Sequence, residues 1–475
     1  MVNKFKWLGV GLLGIIILLT LVFAFLRKDR GIEGKDKDNN FSGKVSDIYS
    51  KNLNDKFGFL GGGVDDTGEA IVESGAGWAR PHPGGFLWDS MQAGPGKEIS
   101  FKITDEEVKN LQKNNLDILA TIWGFADWDQ KNLANSADCK VSTSDEFLPK
   151  NDKKGRGFYL PEYRCNPSDW QAHNAWVEKI VERYDGDGIG DMAGLKKPIR
   201  YWEVMNEPDL NYGANSSKDM GERLNFYKKG PLDYGELLKN SYTAIKKADP
   251  DAQVLIAGAT GGDEQFLSFY KTLFMNMPDA LNYFDIGNIH CISNDQTTND
   301  FNVSSYKKML ETAGISKPIW VTEAEAMYGK DAEENFASTK VSTAGAIDAG
   351  AQKIFYTRYS FDDFRIDMSQ KTNAGAYPSV EKYNEIFRQY DKDQSSIPPN
   401  SHTPNSHTSE VWEFGGGLMF YPNLQARRAC KFGFYDGLAN LGSIKYNLDK
   451  FWCFSSRQRT DLAVQFHNIV NSKGQ

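Results

Sequence analysis

Between residues 57 and 359 the chain carries eight short apolar runs of the strand type, most of them followed by a longer stretch with apolar residues at helical spacing. The runs cover 57–62, 75–80, 116–123, 199–206, 253–258, 284–290, 318–323 and 352–359. Helical spacing is read over 68–74, 104–114, 168–183, 234–248, 338–349 and 380–390. The helix at 104 opens on Thr104 with Glu107 three residues later, the spacing of a capping box. Buried strands alternating with helices are the signature of a parallel sheet. Eight such units predict fold class α/β, a closed (β/α)8 TIM barrel. An open doubly wound sheet would need a glycine-rich phosphate loop after an early strand, and Gly61-Gly62-Gly63 lacks the spacing.

The flanks break the pattern. Residues 7–26 carry no charge, and 20 residues at about 1.5 Å rise span roughly 30 Å, the thickness of a bilayer core. Phe23-Ala24-Phe25-Leu26 offers no small-x-small cleavage pattern, so residues 1–30 are expected to form an uncleaved transmembrane signal anchor. Lys4 and Lys6 are nearly balanced by Arg27, Lys28 and Arg30. Charge does not set the orientation, and cysteines spaced for disulfides favour a single-pass, membrane-anchored protein with its body outside the cytoplasm. Residues 31–46 read as a flexible charged stalk, 47–392 as the barrel domain, 393–410 as a linker with an imperfect Pro-Asn-Ser-His-Thr repeat, and 411–475 as a small aromatic extension of unassigned fold.

Composition narrows the partners. A net charge of −8 argues against nucleic acid, whose phosphates need a positive field. Cys139 with Cys165 and Cys430 with Cys453 are spaced for disulfides, leaving Cys291 single on a predicted core strand; five reduced thiols are the other reading.

Two of the apolar runs end in a carboxylate. Tyr201-Trp-Glu-Val-Met-Asn206-Glu207-Pro208 ends the fourth and Ile319-Trp-Val-Thr-Glu323 the seventh. A TIM barrel delivers chemistry at the C-terminal ends of its strands, and two carboxyl groups across one bond are what glycoside hydrolysis requires. These two stretches resemble the Asn-Glu-Pro and nucleophile strands of the large clan of retaining (β/α)8 glycoside hydrolases, which includes β-xylosidases, β-mannanases and cellulases. The resemblance runs over most of 50–390. It implies a β-linked poly- or oligosaccharide substrate, Glu207 as acid/base and Glu323 as nucleophile, and no cofactor or catalytic metal. It further implies that Arg80, ending the second run, bonds the nucleophile and keeps its pKa low; that Asn206 bonds the sugar 2-hydroxyl; and that His290, ending the sixth run, lies near the pair.

The chain also departs from the clan. Glu325 lies two residues after Glu323 and competes for the nucleophile role; Glu323 is preferred because it directly follows Trp-Val-Thr. Where the clan often places a tryptophan floor, this chain has Tyr356, Arg358 and Tyr359, and Tyr359 is the expected contact. Trp88 and Trp128, with Trp123, are the other expected stacking surfaces, each with loop core as the alternative reading. The excursion 131–167 is too long for a plain connection and is expected to wall the cleft. Asp185, Asp187 and Asp191 have the look of a short calcium loop or of a glycine-rich turn. Two alternatives to hydrolysis use the same barrel: a surface glycan-binding protein without activity, and a transglycosylase.

Overall fold

The structure, a computed structural model, describes residues 53–61, 68–151, 159–212, 218–292, 298–326, 331–357 and 377–391, together with two short strands near 412–419. The chain divides into two compact units, 1–396 and 397–475. In the second, Trp412–Phe414 and Gly417–Met419 form an antiparallel pair. Among the described residues no helix is long and apolar enough to cross a membrane. The expected anchor, stalk, linker and Cys430/Cys453 pair lie outside the described residues.

The first unit contains the eight expected strands: β1 (Asn54–Leu60), β2 (Ala76–Arg80), β3 (Asp117–Ile122), β4 (Tyr201–Val204), β5 (Gln253–Ile256), β6 (Gly287–Cys291), β7 (Ile319–Ala324) and β8 (Ala351–Tyr356). All neighbouring pairs are parallel, in the order β5-β4-β3-β2-β1-β8-β7-β6. Parallel bridges Leu255 to Ile286 and Ala259 to Ile289 join β5 to β6 and close the barrel. Each strand is followed by a helix that packs on the outside.

The alternation of side chains explains how each strand serves two cores. Outward residues such as Ala120, Trp202, Val204, Val254, Ile256, Val321 and Ile354 pack against the helices in one large apolar shell. Inward residues Trp78, Leu119, Leu255, Ile286, Trp320 and Phe355 form a separate cluster that plugs the lower barrel. Gly58 makes room for this plug, because a Cβ there would lie 2.5 Å from the Phe355 ring.

The helix Pro231–Ala248 shows the local logic. Pro231 takes the first turn, where its missing N–H costs nothing, and Tyr234, Leu237, Leu238, Ser241, Ala244 and Ile245 recur at helical spacing on the buried face. Each such leucine contributes about 1.5–3 kcal/mol by leaving water. One expected start signal is not used. The helix after β2 begins two residues early, at Lys102, with Phe101 as its cap. The Thr104 hydroxyl donates to Phe101 O, and Glu107 turns away from the helix end to accept the Gly85 N–H at 3.1 Å. Tertiary burial of Glu107 thus overrides the capping box.

The excursion after β3 is stapled twice. Cys139 and Cys165 are bridged, and the buried Arg164 guanidinium forks onto Asp145 at 3.0 and 3.2 Å. These ties place Phe147 against His82 and Phe226, with ring centroids 6.2 and 5.4 Å away.

Candidate active site

The C-terminal ends of β2, β4, β6 and β7 bring together a buried polar cluster. Arg80, at the end of β2, donates through Nη1 to Glu323 Oε1 at 2.7 Å, through Nη2 to Asn206 Oδ1 at 2.7 Å and through Nε to Glu203 Oε2 at 2.8 Å. It is the hub that sets three strand ends in register with one another. Glu203 also accepts from Thr121 Oγ1 at 2.6 Å and Asn288 Nδ2 at 2.6 Å, so a charge with no access to water is fully satisfied.

The backbone bends to place the two outer glutamates. Past Val204, both Met205 (φ 77°) and Glu207 (φ 40°) adopt left-handed conformations. Each costs on the order of 1–3 kcal/mol and is held by the surrounding packing. On β7 the pairing with β6 slips: Ile289 faces Val321, but His290 faces Glu323. This bulge adds one residue to β7, and Thr322 and Glu323 both reach the cluster instead of pointing to opposite faces.

His290 Nδ1 lies 2.8 Å from Glu207 Oε1 and 3.9 Å from Glu323 Oε1. One oxygen of each glutamate and a nitrogen of His290 all fall within 4.8 Å of one another. The two carboxyl groups therefore face each other closely across the barrel mouth. Burial pushes the Glu207 carboxyl up to about 8, Arg80 pulling it down and Glu203 adding to the rise. Burial also raises Glu323, against the opposing pull of His290 and Arg80. Arg80 does bond Glu323 as expected, but the expectation of a low pKa is corrected: desolvation outweighs the ion pair. Burial lowers His290 to about 4, so its ring is neutral near pH 7.

Asn206 has one task filled and one open. Its Oδ1 is held by Arg80, while among the described residues its buried Nδ2 has no hydrogen-bond partner. Glu325 is separated from the cluster: its N–H goes to Cys291 O at 2.7 Å and its carboxylate accepts from Thr357. Of the two candidates on that strand, Glu323 is the one at the site.

The expected aromatic surfaces fare differently. Trp88 is fully buried and bonds Gln92, packed among Trp128, Trp176 and His173. It belongs to the core under the loop after β2 and offers no face to a sugar, which corrects that expectation. Trp128 packs edge-on against Trp88 and donates to Gln92 O at 2.7 Å. Trp123 is buried as well, donating to Pro83 O. Tyr359 and Arg358 lie outside the described residues. Asp185, Asp187 and Asp191 come within 4.8 Å of one another, and each accepts backbone N–H groups from the same loop: Asp187 N on Asp185, Ile189 N on Asp187, Gly186 N and Gly188 N on Asp191. That is the bonding a glycine-rich turn needs by itself.

Several site residues escape motif reading. His82 lies 4.0 Å from Glu323 Oε1. Thr322 and Asn288 join His290 to Glu203. Gly258 is needed because a Cβ there would sit 2.1 Å from His290 Nε2. The available signal was a polar residue inside an otherwise apolar strand, as with Glu203, Asn288 and Thr322.

No family model matches the chain, and no curated protein does. Solved structures that align with it include a glucosidase from Croceicoccus marinus, at 14% identity over 71% of this chain and 67% of that one, TM-score 0.47. A family 39 glycoside hydrolase from Bacteroides cellulosilyticus aligns at 15% identity over 71% of this chain and 64% of that one, TM-score 0.44. An intracellular xylanase from Thermoanaerobacterium saccharolyticum aligns at 15% identity over 71% and 96%, TM-score 0.43. This chain therefore spans about two thirds of the length of the first two.

Proposed function

We propose that the protein is a retaining β-glycoside hydrolase. The observation that carries this reading is a pair of buried glutamates whose nearest oxygens lie within 4.8 Å, the one raised to about 8 and the other bound to a guanidinium. Glu207, protonated at neutral pH, gives its proton to the glycosidic oxygen as the leaving sugar departs. Glu323 attacks the anomeric carbon at the same time and forms a covalent glycosyl ester. Glu207, now a carboxylate, takes a proton from water, and the hydroxide so formed displaces Glu323 with a second inversion. The Asn206 Nδ2 donor is suited to the sugar 2-hydroxyl, a bond that strengthens as charge develops in the ring. The substrate class is a β-linked poly- or oligosaccharide. The uncharged stretch at 7–26 supports a membrane anchor, and the Cys139–Cys165 bridge supports a body outside the cytoplasm.

Replacing Glu323 with alanine is expected to abolish turnover of aryl β-glycosides, and added azide to restore it as a glycosyl azide of inverted anomeric configuration. Undiminished hydrolysis by this variant would falsify the assignment.

A further inference from the structure

Thr322 Oγ1 lies 2.9 Å from His290 Nε2, 2.8 Å from Asn288 Oδ1 and 3.3 Å from Glu203 Oε1. A threonine hydroxyl has one hydrogen to give and lone pairs to receive with. The Asn288 amide is oriented by its Nδ2 bond to Glu203; turned over, it would set a carbonyl against a carboxylate at 2.6 Å. Two of the three neighbours of Thr322 Oγ1 are therefore acceptors only. Its hydrogen must go to them, and the hydroxyl can face His290 only as an acceptor. The Nε2 of His290 then carries the proton, and a neutral ring has a bare lone pair on Nδ1. That lone pair meets Glu207 Oε1 at 2.8 Å. The contact is a hydrogen bond only if Glu207 is protonated.

We infer that the chain Arg80–Glu203–Asn288–Thr322–His290 is a relay of hydrogen-bond polarity that fixes the His290 tautomer and thereby holds Glu207 in its acid form. This rests on the reading of Glu207 as the proton donor. Thr322 and Asn288 are positioning residues, acting on Glu207 through the imidazole. The charge of Arg80 is not transmitted as a proton; it orients a carboxylate, which orients an amide, then a hydroxyl, then a ring. Once Glu207 has given its proton to the leaving oxygen, its carboxylate faces the Nδ1 lone pair. This favours recovery of a proton from water in the second step. The other groups around Glu207 are Arg80, Glu203, Asp209, Tyr270 and Glu323, with His82 beside Glu323. Of these, Arg80 alone brings positive charge, and it is bonded to Glu323 and Glu203.

Two measurements on the full chain test the relay. Nitrogen-15 spectra of histidine-labelled protein, with the His290→Gln spectrum used to assign the signal, are expected to show His290 protonated at Nε2 and bare at Nδ1 at pH 7. An Nδ1–H tautomer or an imidazolium overturns the relay whether or not any substrate is found. The second measurement is the pH profile of kcat/KM on whichever 4-nitrophenyl β-glycoside of a gluco, xylo, galacto and manno panel the wild type hydrolyses. Thr322→Val should move the alkaline limb down by about one pH unit, a roughly tenfold loss on that side with the acidic side kept, and Thr322→Ser should restore it. A uniform loss at every pH would show that Thr322 only packs. Failure of the wild type on every glycoside would instead count against the proposed function, leaving the tautomer to decide the relay.

Discussion

The lower and upper layers of the barrel interior are built from the same strands, two residues apart, and differ in every other respect. Trp78 precedes Arg80 on β2, Leu119 precedes Thr121 on β3, Tyr201 precedes Glu203 on β4, and Trp320 precedes Thr322 on β7. Residues two apart on a strand share a face. The lower layer is held by area and shape, and among the described residues it leaves two indole N–H groups, Trp78 and Trp320 Nε1, without hydrogen-bond partners. The upper layer is held by hydrogen bonds and ion pairs, in which each charge out of water needs its partners. A layer of the first kind tolerates replacement by similar volume. In a layer of the second kind, one lost partner strands the group it served.

The sharpest way to break the comparison is at Glu207. Glu207→Gln keeps the volume and removes the titratable proton, and kcat on an activated or natural glycoside should fall by about 10² to 10⁴-fold. The wild-type rate should meanwhile decline as pH rises through about 8, where Glu207 loses its proton. A variant with wild-type kcat would show that the upper layer is only packing.

In the lower layer the expected damage is to stability. Trp320→Ala should cost about 3–5 kcal/mol by chemical denaturation, as a large buried side chain leaves a cavity. The rate per folded molecule should be nearly unchanged. Loss of rate without loss of stability would mean that the two layers are not separable.

The smallest effect concerns Glu107, a buried carboxyl outside both layers that burial pushes up to about 8 from an ordinary 4.5. Its folded-state pKa lies above its unfolded one, so the folded chain binds the proton more tightly. The stability this adds is complete below about 4.5 and is lost as pH rises towards and through 8. Glu207 acts in the same direction. The Tm should therefore decline between pH 5 and 8, and Glu107→Gln should make that decline shallower. An identical slope in the variant would show that Glu107 does not titrate in this range.

The strands were legible because each is an apolar run of limited length between polar turns, and period and length are local properties. Arg80, Asn206, Glu207, His290 and Glu323 were legible as polar residues ending such runs. Trp88 was left between two readings for a physical reason. An aromatic residue on a loop after a barrel strand can face the cleft or fill the space under its own loop, and only the packing of Trp128, Trp176 and His173 chooses. The capping box at Thr104 failed likewise, because Gly85, remote in sequence, competes for Glu107.

By itself the sequence determined the eight-fold alternation, the strand ends that bear polar residues and the candidates for a carboxylate pair, Glu207 with Glu323 or Glu325, since all three follow from spacing and residue type along the chain. The tertiary structure decided what no spacing encodes: the bulge that turns Glu323 inward beside Thr322, the left-handed backbone at Glu207, the closeness of the two carboxylates and the partners that surround His290. Hydrogen-bond polarity and desolvation are set by neighbours drawn from five different strands. They exist only after the barrel has closed.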